Sequence, residues 1–396
     1  MNPKAEIADI IRLYGSDFYL QHNVLDYHKR VLNALENCRT AALGGHVERC
    51  DSCGAIRISY NSCRNRFCPK CQGSQRNRWI SSRLSEVLDC TYFHTVFTIP
   101  VCLNSFCLRY PKEMYNLLFK SSKDTLVCFG RDKQYLGAEI GCIGILHTWG
   151  QQMDLHPHIH YIVPGGGIDS EGNWRHTRSE GKYLFPVKAL STVFRGRFVA
   201  LLKHFLHSKG IEFTAELRHA LYKNDWVVYA EHPFGGAVQV IEYLGRYTHK
   251  IAISNHRIQS ISDGKVVFNY KDYVDGGKVK TMTLSALEFL RRFCMHILPK
   301  GLRKIRYYGF LASRNKNRLR ELQIKMRVAK LKREPEPEAE LKKDAIVYIR
   351  PDFKVRSCPC CGRGEMHVIM RFGAHAPPSS DMLTVLNNRD FNNIFH

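Results

Sequence analysis

The chain has 396 residues, 44% of them hydrophobic, and carries 59 Lys and Arg against 36 Asp and Glu, a formal net charge of +23. This length and hydrophobic content exclude a disordered tail and predict a buried core divided into two or three domains. The positive charge, together with 19 tyrosines and 21 phenylalanines, is typical of a nucleic-acid-binding surface. Charge alone also fits an ordinary basic protein.

The chain begins with a stretch that does not resemble an export signal, MNPKAEIADIIRLYG, because it has acidic residues and no apolar run before a cleavage site. No stretch approaches the ~18 apolar residues that a membrane helix requires. We therefore expect a cytoplasmic protein with no membrane partner. Because thiols stay reduced there, we expect the cysteines that cluster, among 15 in all, to bind metal.

Two CxxC pairs lie close together in the stretch CDSCGAIRISYNSCRNRFCPKC. The pairs are Cys50 with Cys53 and Cys68 with Cys71. Two such knuckles complete a tetrahedral site, so we predict a structural zinc, with a redox dithiol as the alternative. Nearby residues could replace a knuckle ligand or belong to a second site, and these are Cys38, His46 and Cys63.

Basic side chains crowd around these cysteines and predict contact with nucleic acid. They are Arg49, Arg57, Arg64, Arg66, Lys70, Arg76 and Arg78. We assign DNA binding in particular to Arg64, Arg66 and Lys70. The alternative is that the whole set forms a solvated face.

Three stretches rich in β-branched and aromatic residues predict buried strands, at residues 90–100, 140–149 and 156–164. The last two are separated by a polar bend and should form an antiparallel hairpin. Since alternate residues of a strand share a face, His156, His158 and His160 should point the same way.

Two imidazoles on one face of a strand can bind a single metal ion. We predict His158 and His160 as ligands, and His147 on the partner strand is the best-placed third ligand. Gln151 and Gln152 compete for that role. A core or surface role for the histidines is the alternative.

A candidate nucleophile lies in the stretch VIEYLGRYTHK, residues 240–250. In a helix, Tyr243 and Tyr247 are one turn apart on the same face, and Lys250 follows three residues later. The alternative is that both tyrosines pack or form hydrogen bonds.

The cysteine module, the strand histidines and the downstream tyrosines together resemble the HUH endonuclease superfamily. The resemblance is closest to the two-tyrosine rolling-circle transposases of insertion sequences, of the ninety-one type, relatives of Helitron and relaxase nucleases. It runs along most of the chain and rests on TAALGGHVERCDSCG, NSCRNRFCPKCQ, LHTWGQ, HPHIHYIVPGGG, YLGRYTHK and RRFCMHILPKGLRKIRYYGFLASR. One departure is Phe67, where that family commonly has a histidine before the last CPKC, so the cysteines matter more as ligands.

The resemblance implies an α+β fold, in which an antiparallel nuclease sheet with flanking helices follows a helical, zinc-binding N-terminal module. It also implies a divalent ion, Mg or Mn, held by His158, His160 and a third ligand. Tyr243 or Tyr247 would attack a DNA phosphate and leave a 3′ hydroxyl and a 5′ phosphotyrosine.

The implied partner is single-stranded DNA at the ends of the element and at the target, which places the protein at the nucleoid. Lys250 would offset phosphate charge, with Arg246 a weaker candidate. A host helicase is a candidate partner, because the chain has no Walker motif. Aromatic and basic residues near the C-terminus could stack and hold bases, with packing as the alternative. They are Tyr307, Tyr308, Phe310, Arg303, Lys304, Arg306 and Arg314.

We predict three parts: a helical and zinc-binding DNA-binding module at 1–86, the nuclease domain at 87–331, and a charged linker with a small tail at 332–396. The linker is the run KREPEPEAELKKD. The tail contains one knuckle without an evident partner pair. Its candidate ligands are Cys358, Cys360, Cys361, His367 and His375.

Two other functions fit the same patterns. A plasmid replication initiator or relaxase would use the same chemistry and differ in genetic context. A non-catalytic zinc-dependent DNA-binding regulator would show no cleavage with Mn, or cleavage insensitive to Tyr-to-Phe changes. The sequence does not indicate an oligomeric state.

Overall fold

The computed structural model describes residues 5–178, 184–230, 245, 248, 250–333 and 357–388. Its described helices are α1 (Ile7–Gln21), α2 (Asp26–Glu36), α3 (Pro69–Leu84), α4 (Asn104–Arg109), α5 (Pro111–Arg131), α6 (Val187–Ser208), α7 (Ala215–Tyr222), α8 (Ala286–Met295), α9 (Lys316–Arg333) and α10 (Ser380–Asn388). Within these ranges no helix combines the length and the apolar character needed to cross a membrane.

The described strands form several antiparallel sheets. They are β1 (Gly45–Cys50), β2 (Ile56–Tyr60), β3 (Tyr92–Thr98), β4 (Cys142–Trp149), β5 (Leu155–Pro164), β6 (Gly166–Ile168), β7 (Trp174–His176), β8 (Val228–Ala230), β9 (Ile258–Ser262), β10 (Lys265–Asp272), β11 (Lys278–Ser285), β12 (Ile305–Tyr308) and β13 (Met366–Phe372). The expected α+β class, with antiparallel sheets and a cysteine-rich N-terminal module, is confirmed.

A sheet of five described strands forms the centre of the fold, in the order β12-β4-β5-β3-β8. The predicted hairpin is β4 and β5, and it pairs His147 with His158. On the other side of β5, β3 pairs Val96 with His160. The three strand predictions are therefore confirmed, with boundaries shifted by one or two residues.

One face of this sheet is buried beneath α5 and α6. Phe97 on β3 lies 5.7 Å from Tyr161 and 5.1 Å from Phe194 of α6, measured between ring centroids. The Tyr161 hydroxyl lies 2.9 Å from that of Ser122 on α5. The buried ring is therefore packed, and its hydroxyl has a hydrogen-bond partner. Burial of each aromatic side chain stabilises the fold by roughly 1.5–3 kcal/mol. Packing against α5 and α6 therefore holds the central strands in place.

The opposite face of the sheet is divided along its length. At one end Ile143 and Ile162 pack beneath Leu322 of α9. At the other end, the same alternation of side chains presents histidines instead of isoleucines. Helix α9 therefore packs on the apolar half of this face, and the polar half contains the histidines.

The N-terminal helices pack against a second part of the chain. A three-stranded sheet in the order β11-β10-β9 and helix α8 share one apolar cluster with α1 and α2. Phe18, Phe268 and Phe289 are buried in that cluster, and so are Cys38 and Cys71. This core joins the cysteine module to the residues that follow the tyrosine stretch.

The tail, which we define as residues 357–388, contributes β13 to a third sheet in the order β13-β1-β2. Its pairing with β1 is antiparallel and runs from Gly45 opposite Phe372 to Cys50 opposite Met366. Most of the predicted linker lies outside the described residues. The tail is thus part of the N-terminal module in space.

Candidate metal centre and its cleft

Three histidines converge on the polar half of the central sheet, and we call them the histidine group (His147, His158 and His160). Their candidate ligand nitrogens all lie within 4.8 Å of one another. The Nε2 atoms of His158 and His160 are 3.1 Å apart. Two nitrogens bound to one ion at about 2.1 Å lie roughly 3.0–3.4 Å apart, so the spacing suits a shared metal.

The outer nitrogens of two of these rings are fixed by hydrogen bonds. The Nδ1–H of His158 donates to the carbonyl oxygen of His156 at 2.6 Å, which leaves its Nε2 with a lone pair. The Nδ1 of His160 lies 2.8 Å from Nε2 of His94 on β3. When His160 donates in that bond, both Nε2 lone pairs face each other, and a cation between them removes the repulsion.

His94 is the part of this centre that the sequence analysis missed. It is 3% exposed, and its ring is stacked on that of His160 at 5.1 Å between centroids. The strand containing it was predicted, but its role depends on the register between β3 and β5. The register is set by contacts far apart in sequence.

Burial holds these imidazoles in the neutral form that binds metal. Desolvation lowers the pKa of His158 to about 3; the hydrogen bond to the His156 carbonyl opposes this shift, and the charges of His156 and Lys250 add to it. The pKa of His160 is also well below its usual value, chiefly through burial and then through the charge of His158. At neutral pH both rings are therefore uncharged.

Replacing His94 by phenylalanine is expected to weaken Mn²⁺ binding about 10- to 100-fold, because a ligating histidine loses the partner that orients it. Phenylalanine keeps the ring volume and removes the nitrogen. Titration calorimetry on the full chain measures the affinity. His156→Gln is the matched control, since it lies on the same strand outside the histidine group. An unchanged affinity in His94→Phe would refute this role.

The histidine group opens into a cleft of about 630 Å³. The residues that line it include Lys250, Lys271, Tyr270 and Tyr273. A neighbouring cleft of about 590 Å³ shares these four residues, so the two form one continuous groove. Cations and rings along a groove are the features that bind a single nucleic-acid strand.

Two lysines concentrate positive charge beside the histidines. Nζ of Lys304 donates to the carbonyl oxygen of Lys250 at 2.6 Å and lies 5.1 Å from the Trp149 ring centroid. Burial, followed by the charges of Arg66 and Lys250, lowers the pKa of Lys304 to about 7. The pKa of Lys250 is also lowered, mainly by burial. An anion between them would favour the charged form of both.

The predicted nucleophiles Tyr243 and Tyr247 lie outside the described residues, as does Arg246. Gly245 and Thr248, which are described, are helical and buried.

The two CxxC pairs of the predicted zinc site fall into two separate groups, which corrects their pairing. The inner cysteine group consists of Cys38, Cys63, Cys68 and Cys71. The outer cysteine group consists of Cys50, Cys53, Cys358 and Cys361. The two CxxC pairs therefore do not share a site, because each pair lies beside two other cysteines. His46 contacts Glu48 and His367 contacts Asp51, so neither belongs to a group.

Two of the residues predicted to contact DNA bind other parts of the protein. The Arg66 guanidinium donates to the carbonyl oxygens of Leu298, Pro299 and Leu302. Lys70 forms an ion pair with Glu6. These two side chains fasten the cysteine module to its neighbours, although Arg66, like Arg64, remains exposed.

The aromatic residues at 307–310 that were predicted to stack bases are half-buried or buried. The Tyr307 hydroxyl accepts a hydrogen bond from Trp79 at 2.8 Å, and Phe310 is 0% exposed. Tyr308 packs near Tyr161. Cζ of Arg306 lies 3.9 Å from the ring centroid of Phe119 on α5, on the face of the sheet opposite the histidines.

The histidine group is thus a candidate metal site in a cationic groove, and comparison with known proteins identifies the class of the protein as a transposase. The chain matches a family described as "Putative transposase" over residues 141–318 and one described as "Transposase zinc-binding domain" over residues 10–99. The first match spans the histidine group and both lysines, and the second spans the inner cysteine group and supports a structural zinc.

Two relatives place the chain more narrowly. It is 42% identical over 391 residues to "Putative transposase y4qJ" of Sinorhizobium fredii, covering 94% of this chain and 97% of the relative. It is 30% identical over 295 residues to "Transposase for insertion sequence element IS801" of Pseudomonas savastanoi pv. phaseolicola, covering 70% of this chain and 68% of the relative. The chain belongs to the IS91-type family of insertion-sequence transposases. No solved structure matches it.

Proposed function

We propose that this transposase nicks and rejoins single-stranded DNA through a 5′ phosphotyrosine during rolling-circle transposition. The observation that carries the proposal is the histidine group at the base of a groove lined by lysines and aromatic rings. The resemblance to HUH nucleases supports the same chemistry. A host helicase would supply the strand separation.

The groove would bind the DNA strand by two kinds of contact. Lys250 and Lys271 would pair with backbone phosphates, and this contact weakens as salt rises. Tyr270 and Tyr273 offer rings on which unpaired bases can stack, at roughly 1–3 kcal/mol per base. Stacking of this kind requires bases that are free of a duplex, so we expect a single strand as substrate.

The histidine group would hold a divalent ion beside the phosphate. The residues fit such an ion because their neutral imidazoles converge while hydrogen bonds fix their outer nitrogens. Mg²⁺ prefers oxygen ligands, so the imidazole donors favour Mn²⁺. When bound, the ion polarises a phosphate oxygen and offsets charge that builds up during the reaction.

Tyr243 or Tyr247 would supply the attacking oxygen. That oxygen bonds to phosphorus, the bond from phosphorus to the 3′ oxygen breaks, and the phenolic proton leaves as the 3′ oxygen gains one. The new phosphotyrosine keeps the ester, so a 3′ hydroxyl can reverse the step and rejoin a strand without ATP. Lys250 and Lys304 would offset the charge on the phosphate.

Incubation of the purified chain with labelled single-stranded DNA from the flanks of its gene tests the proposal. With Mn²⁺ we expect a covalent adduct on a denaturing gel, which EDTA and the double change Tyr243→Phe, Tyr247→Phe both abolish. Tyr222→Phe is the matched control, because that exposed tyrosine lines neither cleft, and it should keep the adduct. Tight DNA binding without any adduct would instead favour the non-catalytic regulator.

A further inference from the structure

We propose that the outer cysteine group binds a second zinc ion, which fastens the tail to the N-terminal module. Cys50 at the end of β1 and Cys53 in the loop that follows supply two ligands, and the tail supplies the other two, so the ion would join distant parts of the chain. This site does not depend on DNA cleavage.

The sulfur atoms of the outer cysteine group have the spacing of a metal site. Sγ of Cys53 lies 3.6 Å from Sγ of Cys358, and Sγ of Cys50 lies 3.8 Å from Sγ of Cys361. All four sulfurs lie within 4.8 Å of one another. A tetrahedron with zinc–sulfur bonds of about 2.3 Å has edges of about 3.8 Å. A disulfide would need about 2.05 Å, and all four cysteines are free.

Backbone amides point at these sulfurs as they do in metal-binding knuckles. The N–H of Cys53 donates to Sγ of Cys50 at 3.5 Å, and that of Cys360 donates to Sγ of Cys358 at 3.4 Å. The N–H of Gly364 donates to Sγ of Cys361, also at 3.4 Å. Such donors favour the thiolate, which is the form that binds zinc.

The tail approaches β1 too closely for any side chain at Gly364. A Cβ there would lie 2.5 Å from Sγ of Cys50 and 2.5 Å from Oδ1 of Asp51. The next residue, Glu365, donates its N–H to Oδ1 of Asp51 at 2.8 Å and accepts from the Asp51 N–H at 3.1 Å. The two halves of the outer cysteine group are therefore fixed relative to each other by these two hydrogen bonds.

The tail has too little apolar core to hold itself in place. Its cluster contains Cys50, Cys358 and Met366 as buried members, so two of the three are candidate ligands. Segments below ≈ 40 residues usually need a metal or disulfides to fold, and the described tail is within that range. A closed site of four thiolates suits structural zinc and supplies the missing stabilisation.

The second ion is distinct from the one that the family match implies. The zinc-binding match ends at residue 99, so it contains the whole inner cysteine group but only half of the outer one. Two groups of four cysteines predict two structural zinc ions for each chain.

Zinc content of the full chain, measured by mass spectrometry after an EDTA wash, tests the proposal. We expect Cys361→Ser to contain one zinc ion fewer than the unchanged chain. Cys360→Ser is the matched control, because that exposed thiol lies outside the group, and it should retain both ions. An equal zinc content in Cys361→Ser and the unchanged chain would overturn the proposal.

A second measurement tests the fastening of the tail directly. A protease site inserted after residue 340 of the full chain allows the tail to be cut from the rest. We expect the cut tail to elute with the remainder on size exclusion in the unchanged chain and in Cys360→Ser, and to separate in Cys361→Ser, whose inner cysteine group is intact. A tail that stays attached in Cys361→Ser would show that strand pairing alone holds it, against the proposal.

Discussion

Replacing His160 by alanine is expected to reduce DNA cleavage about a thousandfold or more, on the function proposed above. His160 is 8% exposed and lies at the centre of the group, with Nε2 facing His158 and Nδ1 facing His94. Its loss removes a ligand and the partner of both neighbours. A metal stabilises such a reaction by several kcal/mol, and each 1.36 kcal/mol is tenfold in rate.

Single-turnover cleavage of a labelled DNA strand with Mn²⁺ measures this effect. Binding of the same strand with EDTA present should change little, because the lysines and rings of the groove remain. His156→Ala is the control, since it shares the strand and lies outside the histidine group, and we expect less than a tenfold loss. Cleavage by His160→Ala at the unchanged rate, with a normal melting temperature, would contradict the assignment.

Replacing Cys71 by serine is expected to unfold the N-terminal module. The Cys71 sulfur lies 3.6 Å from that of Cys38 and 3.8 Å from that of Cys63. The inner cysteine group belongs to the apolar cluster that joins α1 to α8, so losing its zinc leaves thiols without ligation in that core. Structural zinc supplies about 10–16 kcal/mol in small modules, more than most domains can lose.

Calorimetric melting and limited proteolysis measure this loss. We expect the residues up to about position 99, where the zinc-binding match ends, to be digested first in Cys71→Ser. Cys102→Ser is the matched control, because that thiol is exposed and lies outside both groups. A variant that has lost one zinc but melts like the unchanged chain would refute the structural role of the ion.

Local patterns predicted the parts of the site that depend on neighbours in sequence. Alternation along β5 placed His158 and His160 on one face, and the short bend after β4 placed His147 beside them. Each of these inferences needs fewer than about 15 residues of chain. The strand period and the hairpin rules are sufficient over that distance.

Contacts between distant residues were beyond the sequence. Cys50 and Cys361 are 311 positions apart, so no spacing rule could pair them, and two CxxC pairs close together suggested one site. Arg66 looked available for DNA because its carbonyl partners lie 232 to 236 positions away. In each case the residue type was informative, and the partner was fixed by the fold.

The pairing of β1 with β13 has a consequence for synthesis of the protein on the ribosome. Until the tail emerges, β1 is an edge strand with one side unpaired, and two thiols of the outer group have no partners. At about 5–20 residues per second, the 311 positions from Cys50 to Cys361 take roughly 15–60 s to translate. The first module to leave the ribosome is thus among the last to be completed, and a truncated product would leave that edge open.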